Sequence, residues 1–445
     1  PPSTRSAITA EPEPAPAAGS LERATLRRVT RRLLPFLLLL YVVAYIDRVN
    51  IGFAALQMNE DLGLSAAMYG FGAGIFFVGY AMFEVPSNLI LARIGPRLWI
   101  TRIMVTWGAL SVAMMWARSP ESFYVLRFLL GVAEAGFFPG IIYYLCDWFP
   151  QKQRARAVAW FMTAIPMATV IGGPLAGFLL GLDGRGGLAG WQWLFLVEGL
   201  PAVILGVVVL FYLDDKPEDA RWLRDDEKAW LVREIRSEQA RARERHQVGI
   251  LAALAHPVVW VLGFINLVLQ TGSYGLALWV PQIIKGFGGL TNLEVGFIAA
   301  VPFAFAAVGM VLIGRSSDRS GERFWHLAVT LFVAALGFAA SALVKSPLPA
   351  LALLTLTAVA DLGGRGPFWA LPSRFLAGSA SAAGIALINT FGAIGGFVGP
   401  NIIGVMKGVT DDYTGGLMLL AGIVLMGALA AVWLRRARTL APRPP

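Results

Sequence analysis

The chain has 445 residues, of which 57% are hydrophobic and only 15% charged, and its mean hydropathy of +0.64 is far above that of an ordinary soluble domain. Such a composition places the chain in a bilayer rather than in water. The net charge of +9 would suit a nucleic-acid partner, but the positions of the basic residues give it another origin.

The first 20 residues are rich in Pro, Ala and Ser without a hydrophobic core behind a basic start. A largely disordered N-terminal tail over 1–32 is therefore expected, with no cleaved signal peptide. Segments long enough to cross a hydrocarbon core of roughly 30 Å follow at 33–56, 69–91, 98–117, 122–147, 156–180 and 191–213. Residues 214–255 form one long polar connection, and within it 217–245 reads as an amphipathic helix expected on the membrane surface, with Trp222, Leu223, Trp230, Leu231 and Ile235 among charged residues. Six further apolar segments lie at 257–284, 293–315, 324–344, 348–372, 378–405 and 416–435. The prediction is an all-α membrane protein of twelve transmembrane helices: a six-helix bundle over 33–213, a linker over 214–255, a second bundle over 256–436 and a tail over 437–445.

Of the 37 Lys and Arg, 28 fall in the tails and in the connections after even-numbered helices, five in the opposite loops and four inside helices. The positive-inside rule then puts both termini in the cytoplasm. The charge is topological.

The two halves repeat one another. Arg93, Gly95 and Arg97 recur 226 residues later as Arg319, Gly321 and Arg323, and Gly173-Pro174 recurs at the same offset as Gly399-Pro400. A looser echo at offset 227 pairs Ala133-Glu134-Ala135-Gly136 with Ala360-Asp361-Leu362-Gly363. Parallel repeats of this length in an apolar chain point to a two-bundle secondary transporter with its site between the halves. The loop residues Arg93, Arg97, Asp318, Arg319 and Arg323 are expected to latch one conformation. The N-terminal copy carries Ala92 where the other carries Asp318, so its latch lacks the acid.

This loop pattern and the Gly-Pro of helices 5 and 11 resemble motifs of the major facilitator superfamily, over nearly the whole chain. Within it, Tyr45-Ile46-Asp47-Arg48-Val49-Asn50, Arg127 with Ala133-Glu134-Ala135, Trp193 to Gly199 and Pro367-Phe368-Trp369-Ala370-Leu371-Pro372 resemble the anion:cation symporter family. Its members carry tartrate, phthalate, galactonate and similar organic acids, mostly with protons.

Ionisable groups at membrane depth are expensive and are usually kept facing a cavity. Asp47 lies 14 residues past Leu33, roughly 21 Å into helix 1 at about 1.5 Å per residue. Arg127 enters helix 4 from the opposite face and reaches a similar depth, so the two are expected to meet. Arg127 and Glu134 are seven residues apart and should point into one cavity, where Arg127 is expected to contact substrate alongside Arg48. A substrate carboxylate that engages an arginine leaves the protein carboxylate without its partner, and that carboxylate then takes up a proton more readily. The resemblance implies proton coupling at Asp47 and Glu134 and substrate contact at Arg48. A closed ion network holding helices 1 and 4 together is the competing structural reading.

Asp361 and Arg365 stand at i,i+4 on helix 10 and are expected to neutralise one another, unless Arg365 serves a second carboxylate of the cargo. Tyr45, Tyr80, Trp369 and Asn389 match positions that line the organic-acid site in the resembling family, and Gln270, Ser273 and Tyr274 are further candidates. Glu84 is read as a packing or gating residue and Glu198 as a structural one.

None of the six lysines follows a glycine, so no phosphate-cradling loop and no ATP site is encoded. The histidines lack metal-ligand spacing, and no cofactor and no enzyme chemistry are expected. The expected partners are a small organic acid, protons and lipid, with the protein working as a monomer. Rival readings are a receptor or scaffold that kept the fold and lost turnover, and a uniporter or drug exporter.

Overall fold

In the computed structural model, residues 18–244, 257–372 and 379–440 are described. They form twelve helical spans, named here α1 (Ser20–Asp61), α2 (Ala66–Ile94), α3 (Pro96–Trp116), α4 (Pro120–Trp148), α5 (Gln151–Leu180), α6 (Gly190–Tyr212), α7 (Pro257–Lys285), α8 (Asn292–Ser320), α9 (Phe324–Leu343), α10 (Pro347–Trp369), α11 (Gly384–Thr410) and α12 (Thr414–Arg436). The first helix begins at Ala18, well upstream of the expected boundary at 33. Its polar opening turns are held by packing rather than by lipid: Val29 is buried, and Arg28 donates to Glu227 at 2.9 Å.

Several spans break where side chains carry chemistry. α1 is interrupted at Asn50 between the stretches Ala18–Val49 and Ile51–Asp61. α4 stops at Glu134 and restarts at Phe137, because Ala135 adopts an extended ψ of 131° and Gly136 a φ of +87°, a backbone state that glycine tolerates and other residues resist. The Ser87 hydroxyl fixes this break by donating to the Ala135 carbonyl at 2.6 Å. In α10 the helix ends at Gly363 and a short turn Arg365–Trp369 follows. Pro367 inside that turn has no N–H to offer the preceding turn.

The two halves meet mainly in the part of the molecule remote from the termini. There α2 packs on α11, with Gly70 against the Pro400 carbonyl, and α5 packs on α8, with Gly173 against Gly296. Small residues at such crossings let two backbones approach closely where lipid offers no hydrophobic drive. Polar contacts reinforce the seam: Asn59 donates to Gln282 at 3.3 Å, and the Tyr69 hydroxyl donates to the Leu278 carbonyl at 2.8 Å.

The linker helix spans Asp225–Glu244, shorter than the expected 217–245, after a single turn at Pro217–Asp219. Its apolar face packs against the first bundle. Leu223, Leu231 and Ile235 are buried, Trp222 stacks on Trp148 with ring centroids 5.5 Å apart, and Arg32 sits over the Trp222 ring.

Candidate functional site

A cavity opens between the halves at mid-depth. α1 contributes Tyr41, Tyr45 and Arg48 to its wall, α2 Phe77 and Tyr80, α7 Gln270 and Tyr274, α10 Arg365 and Trp369, and α11 Asn389. Six of the seven residues expected to contact substrate therefore border one space: Tyr45, Arg48, Tyr80, Trp369, Asn389 and Arg365. Arg127 does not.

Arg127 is fully buried, and its Nε and Nη2 donate to the carbonyls of Gly72 and Ala73 at 3.4 and 3.2 Å. Its guanidinium lies 5.0 Å from the centre of the Phe76 ring. The expected meeting with Asp47 is not made. Asp47 is held by α3 instead: Trp107 Nε1 donates to it at 2.7 Å, Ser111 donates through its hydroxyl, and Asn50 Nδ2 lies 3.2 Å away. A carboxylate receiving three donors from neutral groups needs no cation beside it. Glu198 from α6 is buried near this Asp47 and Asn50 cluster.

Glu134 is the carboxylate tied to the cavity. It is fully buried at the end of the first stretch of α4, and one of its oxygens pairs with Arg48 Nη2. The other has no hydrogen-bond partner. Arg48 spans both halves, since its Nη1 donates to the Tyr274 hydroxyl at 3.3 Å, and the Tyr80 ring lies 5.3 Å beneath it.

On the opposite wall Arg365 does not pair with Asp361, as its i,i+4 spacing suggested. It reaches α7 instead, where Nη2 donates to Gln270 Oε1 at 2.7 Å and to Ser273 Oγ at 2.6 Å. The Ser273 hydroxyl in turn donates to Asp361. Glu84, read as a packing or gating residue, accepts from Asn389 Nδ2 at 2.5 Å across the halves.

The loop residues divide. Arg323 pairs with Asp318 at 2.6 Å and also reaches Ser317 at 2.9 Å, whereas Arg93 and Arg319 are exposed. The N-terminal copy, which lacks the acid in its own loop, receives one from the linker. Asp215 accepts from the backbone N–H of Arg97 at 2.8 Å and so caps the start of α3.

Sequence reasoning missed Tyr41, Trp107 and Ser111. Tyr41 was accessible as the i−4 neighbour of Tyr45 on the face that carries Arg48, and its ring stands edge-on to that of Tyr45. Trp107 and Ser111 also share a helical face by i,i+4 spacing, but nothing in one sequence says that α3 packs behind Asp47.

Two six-helix bundles around a charged interior cavity are the architecture of a secondary transporter. Residues 37–400 match the model of the Major Facilitator Superfamily, and the chain belongs to that superfamily; it is a multi-pass membrane transporter and not an enzyme. An Agrobacterium vitis protein provisionally named a tartrate transporter is 53% identical over 416 residues, covering 94% of this chain and 96% of that one. A quinolone resistance transporter of Acinetobacter baumannii is 44% identical, with 92% and 94% covered, and the inner membrane transport protein RhmT of Escherichia coli K12 is 41% identical, with 92% and 95% covered. The solved structure of a bacterial homologue of the human lysosomal transporter Spinster, inward-facing and occupied, superposes with a TM-score of 0.74 at 20% identity, covering 92% of this chain and 97% of that one.

Proposed function

We propose that this protein is a proton-coupled symporter of the anion:cation symporter type, importing a small organic anion by alternating access. The cargo class is a tartrate-like hydroxycarboxylate or an aromatic carboxylate. The observation that carries this reading is the Arg48–Glu134 pair: the guanidinium stands in the cavity wall and its carboxylate partner is fully buried behind it. An incoming carboxylate competes for Arg48. Glu134, losing its cation in a low-dielectric site, then holds a proton. Asp47, set deeper among Trp107, Ser111 and Asn50, is the second acid of the same coupling pair, and the two share one proton per cycle.

The positive-inside distribution supports cytoplasmic termini. The far seam between the halves is closed, so the conformation suits release toward that side. One copy encloses the whole cavity, which supports a working monomer. The relative provisionally named for tartrate supports the cargo class.

Uptake of labelled tartrate or phthalate into proteoliposomes should follow an imposed pH gradient, acid outside. Uptake that ignores the gradient while exchange of internal for external acid continues would sink the symport reading. The relative named for quinolone resistance favours a second reading, export of an aromatic drug. Quinolones also bear a carboxylate, so the two readings share Arg48 and differ in direction, which the same vesicles distinguish.

A further inference from the structure

We propose that Asp361 is a further proton-carrying carboxylate, relayed to the cargo through Ser273 and Arg365, so that a dicarboxylate crosses with one proton for each of its two carboxylates. This rests on the symport reading above and deepens it, by assigning a dianionic cargo and a stoichiometry.

The geometry is a chain of three groups. Arg365 Nη2 donates to Ser273 Oγ at 2.6 Å, and the Ser273 hydroxyl donates to one oxygen of Asp361. The other oxygen of Asp361 is buried without a hydrogen-bond partner, as is the second oxygen of Glu134 behind Arg48. Each half therefore presents one guanidinium to the cavity and keeps one half-satisfied carboxylate behind it, directly in the first half and through a hydroxyl in the second. The Nε of both arginines is likewise buried and unsatisfied, so each has a donor to spare for an anion. Two guanidinium groups on facing walls fit a cargo with a carboxylate at each end.

The surroundings of Asp361 leave Arg365 as the charge that acts on it. From α7 it is faced by Gly272 and Ser273, with Phe338 of α9 and Val424 of α12 beside them. α8 presents Gly309 and Ile313 to the same stretch of α10. None of these ionises. When a cargo carboxylate draws Arg365 into the cavity, Asp361 loses the compensating charge and binds a proton from the side to which the cavity is then open. When the cargo leaves, Arg365 returns to Ser273 and that proton is released with it. Two protons and a dianion then move as a neutral unit, whereas Glu134 alone would leave one negative charge uncompensated.

The test uses purified protein in proteoliposomes with labelled tartrate as the probe and the membrane potential clamped by potassium and valinomycin. Wild type should accumulate tartrate about 100-fold per pH unit at zero potential and be indifferent to an inside-negative potential, since each coupled proton contributes about tenfold. Asp361→Asn should fall to about tenfold per pH unit and become inhibited by an inside-negative potential. Tartrate exchange by this variant, measured alongside, reports that it is folded. Arg365→Gln should lose tartrate uptake while retaining uptake of glycolate, a monocarboxylate of similar polarity. Asp361→Asn with unchanged stoichiometry, or with exchange abolished despite ordinary thermal stability, would overturn the assignment while leaving Glu134-based symport intact. Wild-type uptake indifferent to pH would remove both readings together.

Discussion

Arg48 and Tyr274 touch across the molecular axis, guanidinium to hydroxyl at 3.3 Å, and they are 226 residues apart in the chain. That separation is the offset of the sequence repeat, so the two are one ancestral position in two copies. Each bundle brings this position of its first helix to the central cavity. The frame is symmetric but the chemistry is not: one copy supplies a fixed cation and the other a neutral hydroxyl. An anion site needs such asymmetry, because a second cation in direct contact with the first would repel it.

Glu134→Gln preserves shape and removes the charge that Arg48 pairs with. We expect pH-driven accumulation of tartrate to collapse toward equilibration while exchange of internal for external tartrate continues, since exchange requires no net proton movement. Arg48→Gln should instead raise the apparent Kd in a ligand-induced thermal shift about 10- to 100-fold, the scale of losing a hydrogen bond to a charged group. Retained accumulation in Glu134→Gln would contradict the coupling role.

Arg127→Gln separates a binding role from a packing role. Its donors go to the Gly72 and Ala73 carbonyls and not to the cavity, so the variant should lose stability, by about 1–3 kcal/mol, while its thermal-shift affinity for tartrate stays within about twofold of wild type. A large loss of affinity at unchanged stability would return Arg127 to the substrate site.

The case of Arg127 also shows how far the sequence is legible. Its i+7 spacing from Glu134 places both Cβ atoms on one face of α4, and both side chains are indeed buried. Periodicity does not choose the acceptors of a long side chain, and α2 carbonyls lie nearer than the cavity. Asp361 and Arg365 fail for a related reason, since the spacing does not reveal that Ser273 of α7 stands between them as the partner of both. The spans, the repeat and the cavity-facing stripe Tyr45–Arg48 are set by hydropathy and helical period, which a sequence carries directly. The seat of Asp47 among Trp107 and Ser111 depends on which helices pack together, and one sequence does not state that.

Asp215 and Asp318 occupy matching ends of the two bundles and should behave differently. Asp215 caps the backbone of α3 through the Arg97 N–H, and Asp215→Ala should cost about 1 kcal/mol with little dependence on salt. The Asp318 side chain is 70% exposed, and Asp318→Ala should cost under about 1 kcal/mol, an effect that fades as ionic strength rises. Thermal unfolding of both variants in low and high salt provides the comparison. Equal salt sensitivity would mean that Asp215 acts as a surface charge and not as a cap.

The far seam sets which side of the membrane the cavity meets, and Gly173 is where it can be forced. A Cβ at Gly173 would stand 2.5 Å from the Gly296 carbonyl oxygen, well inside van der Waals contact, and both atoms belong to backbones of packed helices that cannot swing aside. Overpacking of this kind costs about 1–3 kcal/mol, and because the contact exists only while the far seam is closed, the whole cost falls on that state. A two-state carrier biased by that amount shifts its equilibrium about 5- to 150-fold. Gly173→Val should therefore populate the conformation open at the far end. Asn59, which bridges to Gln282 across the same seam, is a position to read this: in a Cys146→Ser background, Asn59→Cys should react several-fold faster with an impermeant maleimide when Gly173→Val is present. The double variant should also transport more slowly, since closing the seam becomes the unfavourable step. Unchanged reactivity with full transport would show that α5 and α8 do not close against each other during the cycle.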